Sequence, residues 1–490
     1  MNTYNLKINS YILFIPFIFL IPIGWFLTKE IFEQNSFQYL ILSVIAQISV
    51  FFALKKLTIK PSKNIHFWII FIIILSGYFL KFYIYSVALF NSELSDFFEK
   101  LNPLLGDFMY DSDALINYFA LITATLFTFT FSIYIFKPIT NRIVFYGNKK
   151  DFKLDKLERF LIEIKIRKYL FITFLGSLLV LYLSYSYKIG IPGEEPLFLP
   201  FKLAGVINLT QKLLIPIFYL ILVYLSDIYK LKNLNYTSIL SYGLYALISA
   251  YITTSRAEII FPVIVIFLYW IEIGKFKKSW IKYLLILIPI IIVFYALLGI
   301  YRQISAMGIG VKELFDSDLF FLLQDFGLET SNIAAGIIFF LGFFLRIQGA
   351  DSLIYIMDYY DKFSTTRLFD ILTGLERSSY LYTDKVLDYD LSLGTLFSPS
   401  LLGFFYMLFP SLIMVCFAIY IYTYFWHKVY QYAYSINKFM FPATIPFLTI
   451  SLIYFTMEGT LEILIRSILI FLLASKLIKK FTQSFESSNI

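Results

Sequence analysis

Apolar runs long enough to cross a lipid hydrocarbon layer recur along the whole chain, separated by short polar connections. A helical crossing needs about 20 predominantly apolar residues. The pattern predicts about twelve, at roughly 11–28, 37–54, 66–90, 115–136, 169–188, 213–229, 237–252, 259–274, 283–300, 400–425, 440–456 and 461–476. Only Lys7 precedes the first run, which ends in Trp25-Phe26-Leu27-Thr28 without a small-residue cleavage pattern, so it reads as an uncleaved span. Ser331 to Leu345 is apolar but short for a crossing and reads as a re-entrant or interfacial helix. The expected fold is an all-α polytopic integral membrane protein. It forms a single integral membrane domain, 1–490, with a large external lobe at 301–399.

Basic residues set the orientation. Lys55, Lys56, Lys60 and Lys63 follow the second run, and ten Lys and Arg between Lys137 and Lys168 follow the fourth. Lys230 and Lys232 follow the sixth, Lys275, Lys277, Lys278 and Lys282 the eighth, His427, Lys428 and Lys438 the tenth, and Lys476, Lys479 and Lys480 the twelfth. Every cluster comes after an even-numbered run. Cytoplasmic loops carry the Lys and Arg excess, so both termini are expected in the cytoplasm. The connections after odd runs are acidic. Asn91 to Asp113 carries six carboxylates against Lys100, and 301–399 carries thirteen Asp and Glu against seven Lys and Arg. That last connection is by far the longest, and long loops in compact proteins are usually functional.

Composition narrows the class further. Apolar residues make up 59% of the 490 and charged residues 15%, which excludes a soluble enzyme and a disordered chain. The net charge of +8 lies in the clusters just described, so no nucleic-acid partner is expected. The single cysteine, Cys416, cannot form an intrachain disulfide. Two histidines, His66 and His427, are too few for a zinc cluster, and both fall at expected cytoplasmic ends as interfacial residues. No phosphate-binding G-x-x-x-x-G-K-[ST] loop is present. A catalytic base in this chain is therefore expected to be a carboxylate.

External arginines carry the most information, because positive charge is disfavoured on that side. Arg256 lies in Thr253-Thr254-Ser255-Arg256-Ala257-Glu258, where three hydroxyls, a guanidinium and a carboxylate crowd the outer surface. If Ile259 opens a helix, Ser255 or Thr254 can cap it, and its N–H groups add to an anion site. The alternative is a capped helix end with Arg256 paired to Glu258 or reaching lipid phosphate. Arg302 follows the ninth run and fits a snorkelling helix-end arginine. Arg346-Ile347-Gln348-Gly349-Ala350-Asp351 puts a guanidinium, an amide and a carboxylate at membrane depth; a glycine cap with Arg346 on the helix dipole is the other reading. Glu458, Glu462 and Arg466 are spaced to form one helical stripe, functional or a buried structural ion pair. The external Asp316, Asp318, Asp325, Asp358, Asp361 and Asp370 read as a solvated face, although with Tyr355, Tyr359, Tyr380 and Tyr382 they also suit sugars.

Three of these segments carry a resemblance. Thr254-Ser255-Arg256-Ala257-Glu258 opening a span, Arg346 to Asp351 in the long loop, and Ser398-Pro399-Ser400-Leu401-Leu402-Gly403 running into Phe405-Tyr406 are similar to elements of the bacterial O-antigen and capsular oligosaccharide repeat-unit polymerases. The chain resembles that family most from about Tyr251 onward. Many members have a histidine in the large external loop, and none lies there in this chain.

The resemblance implies a GT-C-type membrane glycosyltransferase of the bacterial cytoplasmic (inner) membrane, acting at the outer face without metal or cofactor. It implies polymerisation of oligosaccharide units carried on undecaprenyl pyrophosphate, for O-antigen, capsule or exopolysaccharide. Donor and acceptor lipids, the bilayer, a chain-length regulator and a flippase are the partners it implies. For that chemistry, Arg256 and Arg346, with Arg302 and Arg466 behind them, are the expected pyrophosphate ligands. Asp351, Glu258 and Glu458 are the expected bases. A glycan ligase would use the same leaving-group site with another acceptor. A lipid-oligosaccharide flippase or other transporter would suit twelve spans, but its halves should be related and its charges deep.

Overall fold

A computed structural model describes residues 36–58, 64–82, 112–136, 156–189, 197, 199–200, 203–253, 257–272, 350–358, 382–383, 399–436, 441–459, 472 and 476. These residues are 93% helical and include no strand. Five helical stretches among them are long and apolar enough to cross a membrane: Phe37–Thr58, Leu115–Ile135, Leu157–Ser186, Leu203–Ile228 and Leu412–Ala433. Ile65–Leu80, Phe261–Trp270 and Pro446–Met457 are shorter apolar helices. The protein is a helical membrane protein. The short helix expected at Ser331 to Leu345 lies outside the described residues, as does most of 301–399.

The helices are α1 Ser36–Thr58, α2 Ile65–Ile74, α3 Ser112–Ile135, α4 Lys156–Ser186, α5 Leu203–Leu209, α6 Ile215–Ile228, α7 Lys232–Thr253, α8 Ala257–Glu272, α9 Ala350–Asp358, α10 Leu401–Leu408, α11 Leu412–Ile436 and α12 Phe441–Glu458. Two π-helical segments join them: Leu75–Leu80 continues α2, and Thr210–Leu214 links α5 to α6. The chain divides into two compact units. One comprises Met1–Asn141, Gly327–Tyr432 and Ser451–Ser467, the other Arg142–Phe326, Ala433–Ile450 and Ile468–Ile490.

In the first unit α1 lies along α3. Buried apolar rings make the seam, with Tyr39 stacked on Phe119 at 5.4 Å and Phe82 on Phe119 at 4.2 Å. Hydroxyls cross it as well, the Thr130 hydroxyl donating to the Ser49 carbonyl at 3.1 Å. In lipid such cross-helix bonds and ring packing hold helices together, because apolar contact alone gives little preference over lipid tails.

The second unit is a bundle of α4, α6, α7 and α8 around a tyrosine-rich core, where Tyr219 stacks on Tyr242 at 5.5 Å. Its polar contacts gather at the two ends. At one end the Tyr269 hydroxyl donates to Asp227 Oδ2 at 2.8 Å, and Asn235 Nδ2 donates to the Val223 carbonyl at 3.1 Å. At the other, Ser184, Gln211, Ser249 and Glu258 meet. At 1.5 Å per helical residue the two polar layers are about 20 Å apart. Helices α4, α6, α7 and α8 therefore alternate in direction. The C-termini of α4 and α6 close on left-handed lysines, Lys188 and Lys230, with the following N–H of Ile189 and Leu231 bonded back to Ser184 and Ser226.

Several boundaries differ from the sequence expectation. The span expected at 400–425 is two helices, because Pro410 holds Phe409 extended and ends α10. The α4 helix starts at Lys156, so part of the expected basic connection is helical. Helix α12 ends at Glu458, and Gly459 takes a left-handed conformation with φ 64°. Glu458 is the last residue of α12, and Glu462 and Arg466, expected on one stripe with it, lie outside the described residues. His66 and His427, expected at the lipid interface, are both buried and face each other, Nε2 to Nδ1, at 3.3 Å.

Candidate functional site

The polar end of the second unit is built around Gln211. Pro216 has no N–H to give, and the Ile215 N–H bonds the Thr210 carbonyl five residues back. The helix widens there into its π segment. The Gln211 carbonyl accepts the Tyr245 hydroxyl of α7 at 2.5 Å. Such π segments mark functional sites often enough to draw notice.

From the Gln211 side chain a row of hydrogen bonds runs across four elements. The Ser184 hydroxyl of α4 donates to Gln211 Oε1 at 2.6 Å. Gln211 Nε2 donates to Ser249 Oγ at 2.9 Å, and Ser249 Oγ donates to Glu258 Oε2 at 3.3 Å. Ser184, Gln211 and Ser249 are buried, and Glu258 is partly buried. Glu258 occupies the first turn of α8, ahead of the apolar stretch Phe261–Trp270. Burial pushes its carboxyl above the ordinary carboxylate range, while the Lys212 ammonium and the Ser249 hydroxyl pull it back. The result is a carboxylate at the end of the apolar layer, held by an ordered donor and more ready to take a proton than an ordinary surface carboxylate. Those are the properties of a general base.

In the first unit three helix ends meet. Asp351 falls in the first turn of α9. A Cβ on Gly403 of α10 would meet Ile356 Cδ1 at 2.7 Å and the Ser352 carbonyl at 3.7 Å, so α9 and α10 pack closely at this glycine. A Cβ on Gly459 would clash with the Ser400 carbonyl, so the end of α12 meets the start of α10 backbone to backbone. Ser400 itself has φ 64° and ψ 169°, a region essentially reserved for glycine. The Leu402 N–H, near the start of α10, donates to the Tyr78 hydroxyl at 3.1 Å, and the Tyr118 hydroxyl donates to the Tyr78 carbonyl at 3.2 Å. Lys81, one turn on from Tyr78, is fully buried.

Of the residues expected from sequence, Glu258 lies in the polar row of the second unit. Asp351 lies in the first turn of α9 and Glu458 at the end of α12, both in the first unit. Arg256, Arg302, Arg346 and Arg466 lie outside the described residues. Helix α8 opens at Ala257 rather than Ile259, which puts Arg256 immediately before it. Ser184, Gln211, Lys212, Tyr245 and Ser249 were not singled out by sequence reasoning. A lone glutamine just ahead of an apolar run, five residues before a proline, was the available signal. Comparisons with family models, curated proteins and solved structures return no match.

Proposed function

We propose that this protein is a membrane glycan polymerase, transferring an oligosaccharide from polyprenyl pyrophosphate onto the next lipid-linked repeat unit. The reading has twelve spans in a GT-C-like arrangement, both termini in the cytoplasm, and the reaction at the outer face of the bacterial inner membrane. The observation that carries it is Glu258. A partly buried carboxylate stands at the membrane edge, held by Ser249 and next to the Lys212 ammonium. By the distribution of basic clusters, that edge is the external one.

In the proposed reaction an acceptor sugar hydroxyl attacks the anomeric carbon of the donor. The hydroxyl proton passes to a carboxylate, and the bond to the pyrophosphate oxygen breaks with its electron pair. Glu258 is the first candidate for the base, followed by Asp351 and Glu458. The pyrophosphate gains negative charge as it leaves. Arg256, Arg346, Arg302 and Arg466 are proposed to hold it, since a guanidinium fork offers two parallel donors and keeps its charge. Chemistry at a membrane edge suits a substrate whose lipid tail stays in the bilayer while its sugar stands in water.

The test is incubation of the purified protein in vesicles with a polyprenyl-pyrophosphate repeat unit. The polymerase gives a ladder of glycans on the lipid. A single addition to a different acceptor indicates a ligase. Movement of the lipid-linked sugar across the vesicle with no new bond indicates a transporter and overturns the reading.

A further inference from the structure

The hydrogen-bond row that ends on Glu258 has a direction. As drawn by the geometry, Ser184 donates to Gln211, Gln211 donates to Ser249, and Ser249 donates to Glu258. Each of the three donated hydrogens points along the row toward the carboxylate. That order suits an ionised Glu258, which is acceptor only. Once protonated, the same carboxyl is a donor. If Ser249 accepts from it, the Ser249 hydroxyl hydrogen turns away from Glu258, toward Gln211 or the Tyr245 hydroxyl. Donation to Gln211 has the amide offer Oε1 to Ser249 and Nε2 to Ser184, a rotation of the amide by half a turn. An amide does not pass a proton along, so the row is no proton wire. It is an array with two polarities, each matched to one protonation state of Glu258.

We infer that Gln211 is a positioning residue whose amide orientation holds Glu258 in its ionised, proton-accepting state, and whose reversal accompanies protonation of that carboxyl. The surroundings fit such a two-state element. The Gln211 backbone is fixed from outside by the Tyr245 hydroxyl, so the side chain turns on a rigid base. Ser184 and Ser249 are hydroxyls, which can donate or accept by rotating their hydrogen. Both are fully buried, and the Tyr245 hydroxyl also meets Ser249. Among the described residues, the charged and titratable groups acting on Glu258 are Lys212 from the π segment and Tyr242 and Tyr245 from α7. From α4 the row meets Ser184. The array is independent of what reaction the protein performs. Its catalytic consequence rests on the polymerase reading above.

The test uses a hydrophobic carbodiimide, which adds to protonated carboxyls, on the full chain in vesicles. Labelling of the Glu258 peptide is followed by mass spectrometry as a function of pH. Gln211→Leu keeps the volume and removes the array, while Lys212, Tyr242 and Tyr245 stay in place. Its labelling midpoint is expected about one pH unit above the wild type, so that labelling at a fixed pH above the midpoint rises roughly tenfold. Ser184→Ala removes only the far bond and should move the midpoint the same way by less. It also covers the case in which Gln211→Leu fails to fold. Midpoints unchanged in the folded variants overturn the inference. If the midpoint moves but the wild-type protein never elongates a glycan, the array stands and the polymerase reading fails. If both hold, the pH profile of elongation should move with the labelling midpoint.

Discussion

The carbonyl of Ser400 occupies the space that a Cβ on Gly459 would need, so the start of α10 and the end of α12 touch through bare backbone. Both residues have positive φ, 64° in each case. Gly459 is adapted to that conformation and Ser400 is not, so the strain at this junction sits on the serine.

Gly459→Ala is therefore expected to destabilise the first unit by more than about 1 kcal/mol, through strained backbone and steric conflict together. Thermal unfolding in detergent reads the effect as a lower midpoint. Gly176, with open space around its Cβ position, is the control and should change far less. Equal effects at the two glycines would contradict the close approach.

Glu258 links function to stability with opposite signs. Its carboxyl titrates above the ordinary range in the folded protein, chiefly because of burial. Stability from this group is thus fully present below the unfolded value and is lost as pH rises through the folded value. Glu258→Gln mimics the protonated form at every pH. It should match the wild type in thermal stability at low pH and exceed it at high pH, while elongation falls. A variant less stable than wild type at high pH would contradict the assignment of a burial-raised carboxyl.

Much of the helical pattern was legible because apolar run length is a property of sequence alone. The matching ends of α3, α7 and α12 show it. What the pattern did not reveal was which residues face one another. His66 and His427 lie 361 positions apart, one at the start of an apolar run and the other just after one. Nothing in either run says that they stack with Phe67, Phe136 and Tyr430 inside the first unit. Gln211, Ser184 and Ser249 were equally silent, since a single polar residue near a span end is common. Glu258 was legible because it is charged, and charge at a membrane edge needs a reason. The break at Phe409 was also there to be read in Pro410, but an unbroken apolar run from 400 to 425 outweighed it.

Orientation is open to direct measurement. With Cys416 replaced by serine, single cysteines placed at Asn148 and at Asn91 should differ in reaction with a membrane-impermeant maleimide added to intact cells. Label at Asn91 and none at Asn148 until the cells are opened is the expected result. The reverse pattern would put the Glu258 end of the bundle in the cytoplasm, away from an externally displayed glycan.

The proposed role of Glu258 is tested most directly by the initial rate of glycan ladder growth in vesicles containing wild type or Glu258→Gln, at equal amounts of folded protein and saturating lipid-linked repeat unit. Loss of a general base predicts a ladder slowed about 100-fold or more in the variant, with retention of lipid-linked substrate binding. A ladder that grows at the wild-type rate without this carboxylate would contradict it.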